Sequence, residues 1–207
     1  MGAFISYRIE GARPDQMVDI LLNPQETKLA NRRTLEELGN QVKTAASSEI
    51  RNRYNIKKSD LDLLIKFMKP RIDNLEAVIE VKGKPIPLLY FGAKQVTGQN
   101  RLITRTQGNQ LKRASRLGQG VTYQVLRREA AKNQPHWFIQ YDSRLHQLRV
   151  FYRKDARRDS WRAAFVITVA SMFNTEEVRQ TIDALVAAKG PEIWQRNWRY
   201  YLQRAGK

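Results

Sequence analysis

Cysteine is missing from all 207 residues, and histidine occurs only as His136 and His146. The first absence excludes structural disulfides, thiolate zinc sites and cysteine nucleophiles together. The second means that a histidine-based metal shell would need carboxylates to complete it. Acidic residues are scarce, 20 Asp and Glu against 37 Lys and Arg, which leaves a net charge of +17. No apolar run approaches the roughly 18–20 residues that a membrane-crossing helix needs, and the mean hydropathy is −0.60. The opening MGAFISYRIEGARPD lacks a basic stretch followed by a sustained apolar core, so it does not read as a secretory signal.

What is present is the make-up of a globular chain, 42% hydrophobic and 28% charged. Its length suffices for one sizeable core, or for a modest core with a helical appendage. A positive field of this size draws in anions and speeds encounters with acidic partners. Nucleic acid, an acidic protein ring and an anionic membrane surface would all respond to it. The excess sits mid-chain: residues 1–60 carry ten basic and eight acidic residues, residues 101–160 fourteen and four.

The pattern changes twice along the chain. Residues 15–22 suggest two helical turns stopped by Asn23-Pro24. From Glu26, Leu29, Leu35, Leu38, Val42, Ala45, Ala46 and Ile50 recur at spacings of three and four, predicting a long helix that ends near Arg53 or Tyr54. Ser59 and Asp62 resemble a weak capping box for a short helix carrying Leu61, Leu64, Ile65 and Met68, stopped by Pro70. Strand periodicity follows, with Ile72, Ala77, Ile79 and Val81 in one segment. Pro85-Ile86-Pro87 cannot be a central strand, because two amide donors are missing. Val121, Tyr123 and Val125 alternate, Phe138 and Ile139 take opposite sides, and Leu148, Val150 and Tyr152 share one. Phe165–Val169 is a further strand or apolar contact segment. A helix opens at Thr175-Glu176-Glu177 and stops at Gly190, and Pro191 begins another bearing Trp194 and Trp198.

This reading divides the chain into a helical region over 1–70, a β-rich core over 71–173 and a helical region over 174–207. The fold class expected is α+β, an antiparallel or mixed sheet packed with a long N-terminal helix and C-terminal helices. A loop at 97–120 is poor in large apolar residues and contains Arg101, Arg105, Lys112, Arg113 and Arg116. A stretch that long is functional or disordered rather than idle, and the expectation is that Arg101 to Arg116 orders only in an assembly. With it, Arg127, Arg128, Arg153, Lys154, Arg157 and Arg158 are the candidates for contact with an anionic partner.

Catalysis needs a nucleophile with a base, paired carboxylates or a metal shell. His136, Asp142 and His146 offer at most a thin three-ligand set, and a strand-end histidine with a wet one is the better reading. Asp155 and Asp159 balance charge beside Arg153, Lys154, Arg157 and Arg158. Gly118-Gln119-Gly120 lacks the lysine and hydroxyl of a phosphate loop and reads as turn chemistry. No cofactor, metal or catalytic residue is expected. Aromatic residues near arginines, among them Tyr123, Trp137, Tyr141, Phe151 and Tyr152, suit nucleic-acid contact, but alternation puts several of those rings in the sheet core.

Several segments resemble the prophage minor tail protein Z family, whose lambda-like members act in completing the phage tail. The sharpest is Pro85-Ile86-Pro87-Leu88-Leu89-Tyr90-Phe91-Gly92-Ala93-Lys94-Gln95. Others are the helix from Leu35 to Arg53 with the basic hinge after it, Gly120–Val125, Phe151-Tyr152-Arg153-Lys154, Val169–Phe173 and the closing helix through Trp198 and Tyr201. Residues 141–146 and 161–168 differ from the family's pattern. The resemblance implies a non-enzymatic tail-completion or head–tail neck protein, located in the virion and passing through the host cytoplasm during assembly. Its partners would be other tail or neck proteins and further copies of itself in a ring, with no membrane role. Contact with phage DNA stays open, and the alternative is a non-specific nucleic-acid-binding protein using the basic middle region. Phe91, Gly92 and Ala93 are read as a packing centre, Gly92 for a positive backbone dihedral or a close approach. Trp194 and Trp198 share a helical face, as core or as an oligomer anchor.

Overall fold

The computed structural model describes residues 5–10, 24–81, 83–97, 118–154 and 160–205. The reading made for 15–22 lies outside them. In chain order the first elements are β1 (Ile5–Glu10), α1 (Pro24–Arg53), α2 (Lys58–Asp62), β2 (Ile65–Met68), β3 (Glu76–Val81) and β4 (Pro85–Pro87). A 3-10 turn over Leu88–Phe91 leads to β5 (Lys94–Thr97), β6 (Gly118–Tyr123), β7 (Lys132–Gln134), β8 (Phe138–Asp142) and β9 (Gln147–Arg153). Last come β10 (Trp161–Ala163), β11 (Phe165–Thr168), α3 (Val169–Phe173) and α4 (Glu176–Ala205). The fold is α+β, with several antiparallel sheets, a long N-terminal helix and C-terminal helices. Two compact units result, one made of Met1–Arg51, Lys58–Lys84 and Thr168–Lys207, the other of Asn52–Lys57 and Pro85–Ile167.

In the first unit, α1 starts on Pro24, where the absent N–H has no helical partner to lose. It buries Ala30, Thr34, Leu35, Leu38, Val42, Ala46 and Ile50 along one stripe. Gly39 lies on that stripe because a Cβ there would overlap the Phe67 ring. The Asn197 amide donates to Thr34 Oγ1 at 3.1 Å and Trp194 Nε1 to Asn31 Oδ1 at 3.1 Å, joining α4 to α1. Trp194 and Trp198 stack at 5.3 Å beside Ala30 and Tyr201, which makes them core residues of this unit. β3 is the centre of an antiparallel sheet ordered β1-β3-β2 and buries Ala77, Ile79 and Val81 on one face.

Four local expectations change. The second helix ends at Asp62, and Ile65–Met68 is a strand paired with β3 from Ile65↔Val81 to Met68↔Val78. Four apolar residues spaced by three and four suit a short helix, but Ile65 and Phe67 also share a strand face, and pairing with β3 decides. The capping box does not form: α2 begins at Lys58, and the Asp62 carboxylate accepts from Ser47 Oγ at 3.5 Å. Ile72 precedes β3 and is exposed. α4 runs unbroken through Gly190 and Pro191. Its buried face continues from Ile182 to Ile193 and Asn197, and that burial holds the helix across a missing N–H.

In the second unit, β5-β6-β7 and β8-β9-β10 form two antiparallel sheets, and β4 pairs with β11. In a two-stranded sheet both strands are edges, so Pro85 and Pro87 cost no ladder bond on the open side. Leu88 and Phe91 are fully buried, and Gly92 closes the turn at φ +67°, its N–H bonded to Leu89 O at 3.2 Å. Gly92 is exposed while Ala93 is buried, so the packing comes from Phe91 and Ala93 and the backbone reversal from the glycine. The Gln95 side chain ties the two larger sheets: its amide donates to Gly120 O at 2.8 Å, and its oxygen accepts from the Ile139 N–H at 2.8 Å.

Candidate functional site

The β8–β9 hairpin has two unlike faces, set by pairing of Phe138 with Phe151, Ile139 with Val150 and Tyr141 with Leu148. Ile139, Val150 and Tyr152 lie on one. Trp137, in the turn before β8, stacks between Tyr123 at 5.7 Å and Tyr152 at 5.6 Å. These rings pack against each other but stay half-buried, as does Phe151, and Tyr141 is exposed, so none of the five joins the buried core where alternation put several of them.

The opposite face carries Phe138 and Phe151, stacked at 6.1 Å, and Trp161 of β10 edge-on to Phe138 at 5.3 Å. Trp161 pairs with Arg153 across β9–β10, so an exposed basic side chain joins the aromatic group. The Arg149 guanidinium lies 5.0 Å from the Phe165 ring centre and reaches Asp142 Oδ2 at 3.1 Å. Trp161 is 39% exposed and Phe165 44%. Sequence does not place either in this group: Trp161 reaches Phe138 only through the pairing of β10 with β9, and Phe165 reaches Arg149 from β11.

The hairpin ends in a second apolar group. Tyr141, Leu145 and Leu148 are 53%, 54% and 55% exposed. The turn holds His146 at φ +51°, its Nδ1 3.3 Å from the Tyr141 hydroxyl. Partial burial pushes the Asp142 carboxyl up, but the Arg149 hydrogen bond, the Arg144 N–H and the Arg149 charge outweigh it, and the group sits below its ordinary range. Asp142 therefore serves as the anchor of the hairpin. His136 is exposed in the turn before β8, and among the described residues no cluster of three or more His, Asp or Glu could hold a metal ion.

Of the basic candidates, Arg101, Arg105, Lys112, Arg113, Arg116, Arg157 and Arg158 lie outside the described residues, as does most of the 97–120 loop. Arg153 and Lys154 are exposed at the end of β9. Arg127 and Arg128 are exposed in the turn after β6, where Arg127 bonds backward, its N–H to Arg53 O at 2.9 Å and Nε to Tyr54 O at 3.3 Å. Arg127 is thus in part a structural tie. Among the described residues no helix is long and apolar enough to cross a membrane. No family model, no curated protein and no solved structure matches the chain.

Proposed function

We propose that the chain is a structural, non-enzymatic component of a tailed phage or prophage particle, a tail-completion or head–tail neck protein that assembles through protein contacts. The resemblance of the Pro85–Gln95 segment supplies the class. The assembly role rests on the exposed end of the β8–β9 hairpin, where Tyr141, Leu145 and Leu148 stand in solvent on a loop braced by the mostly buried Asp142–Arg149 pair. A braced apolar projection of this kind gains by burial against a neighbour. Repeated around a closed ring, one such contact serves every subunit. Imaging of assembled particles tests this: density for the chain at the tail or neck is expected, with failed tail completion on its deletion. Normal, infectious particles formed without the protein would overturn it.

A second reading, non-specific nucleic-acid binding, is favoured by one observation. The second unit holds 18 basic and 4 acidic residues, +14 of the total +17. The first unit, with 19 and 16, is nearly balanced.

A further inference from the structure

We infer that the face of β8-β9-β10 bearing Phe138, Phe151 and Trp161, with Phe165 beside it, binds single-stranded nucleic acid. Bases stack on Trp161 and Phe165, and Arg153 holds a phosphate. This rests on the second reading and names its site and its ligand class. Three features carry it. The exposed Trp161 and Phe165 are both aromatic, whereas the hairpin end has two leucines among its three exposed apolar residues and suits a protein contact better. The Phe165 ring is backed by the Arg149 guanidinium, which is held in turn by Asp142, so the platform is braced before any ligand arrives. The rings also belong to the unit with nearly all the net positive charge, and Arg153, paired with Trp161 across the sheet, is exposed. A strand with unpaired bases offers both a π-face and a line of phosphates, while a duplex keeps its base faces stacked inside.

The test uses the full chain and labelled oligo(dT), a duplex of equal length and poly-glutamate, with anisotropy read across a salt series. Oligo(dT) is expected to bind tightest. Trp161→Ala leaves the charge unchanged and is expected to weaken oligo(dT) about tenfold, the scale of one lost base–ring stack. Trp161→Phe should keep most of the affinity. Arg153→Ala should lower the salt slope by about 0.7, one phosphate contact on a single strand. If Trp161→Ala melts early, Phe165→Ala decides, with the same tenfold loss expected. Equal binding of strand and duplex, with ring variants unchanged, removes this inference and leaves the charge-driven reading standing. Poly-glutamate binding as tightly as oligo(dT) overturns it in favour of an acidic protein partner. No binding to any of the three removes both.

Discussion

Gln95 shows how one side chain can close an assembly of strands. Its amide and carbonyl satisfy one backbone group in β6 and one in β8. Gln95→Ala should cost about 1–3 kcal/mol in urea unfolding, since partly buried backbone groups lose their partners. Gln95→Glu should be no rescue, because a carboxylate cannot donate to Gly120 O. The two glycines at positive φ differ in kind. At Gly92 an added Cβ would meet only Asn55 Nδ2, at 3.5 Å, so Gly92→Ala carries the left-handed penalty of about 1–2 kcal/mol. At Gly120, φ +96°, a Cβ would overlap Gln134 O, so Gly120→Ala should be markedly worse by the same unfolding measurement. Gly92 was legible in sequence because it directly follows the apolar run Leu88-Leu89-Tyr90-Phe91. Gly120 was not, because Gly118-Gln119-Gly120 reads in sequence as a turn, whereas these residues open β6 and the constraint comes from β7. Asp142 adds a pH dependence. Its carboxyl is held below the ordinary value, so the stabilisation it gives is complete above about pH 4 and is lost as pH falls through its depressed titration. Asp142→Asn should flatten that acid limb, as followed by the Tyr141 and Leu148 resonances.

Helix α1 declared itself because its stripe is long, and thirty residues at the right period leave no rival register. β2 was hidden because four residues can satisfy either period, and only β3, farther along the chain, decides. α4 was cut in two by local rules for glycine and proline, while the tertiary burial on both sides of them could not be seen in one dimension. Its continuity makes a prediction. Gly190 does not adopt a positive φ, and a Cβ there would meet Leu38 Cδ2 at 3.9 Å, an ordinary contact. Gly190→Ala should therefore raise stability by about 0.5–1 kcal/mol, visible as a higher denaturation midpoint.

For the whole molecule, sequence showed an excess of positive charge over residues 101–160, and that stretch falls within one unit. The aromatic face needed more: Phe138, Phe151 and Trp161 converge only once β8, β9 and β10 are in register. The combined substitution of Tyr141, Leu145 and Leu148 by serine is expected to leave the melting curve little changed, since all three are more than half exposed. On the proposed function, it should abolish incorporation into particles, read by immunoblot of purified virions.

The first unit is discontinuous, and that has a consequence for biosynthesis. α1 leaves the ribosome well before the residues that bond to it, Trp194 and Asn197, which lie 163 residues after their partners Asn31 and Thr34. At ordinary elongation rates this delay is on the order of ten seconds. The nascent helix spends that time without its mate, so polypeptides arrested before residue 176 should be retained by hydrophobic-binding chaperones, and full-length ones released.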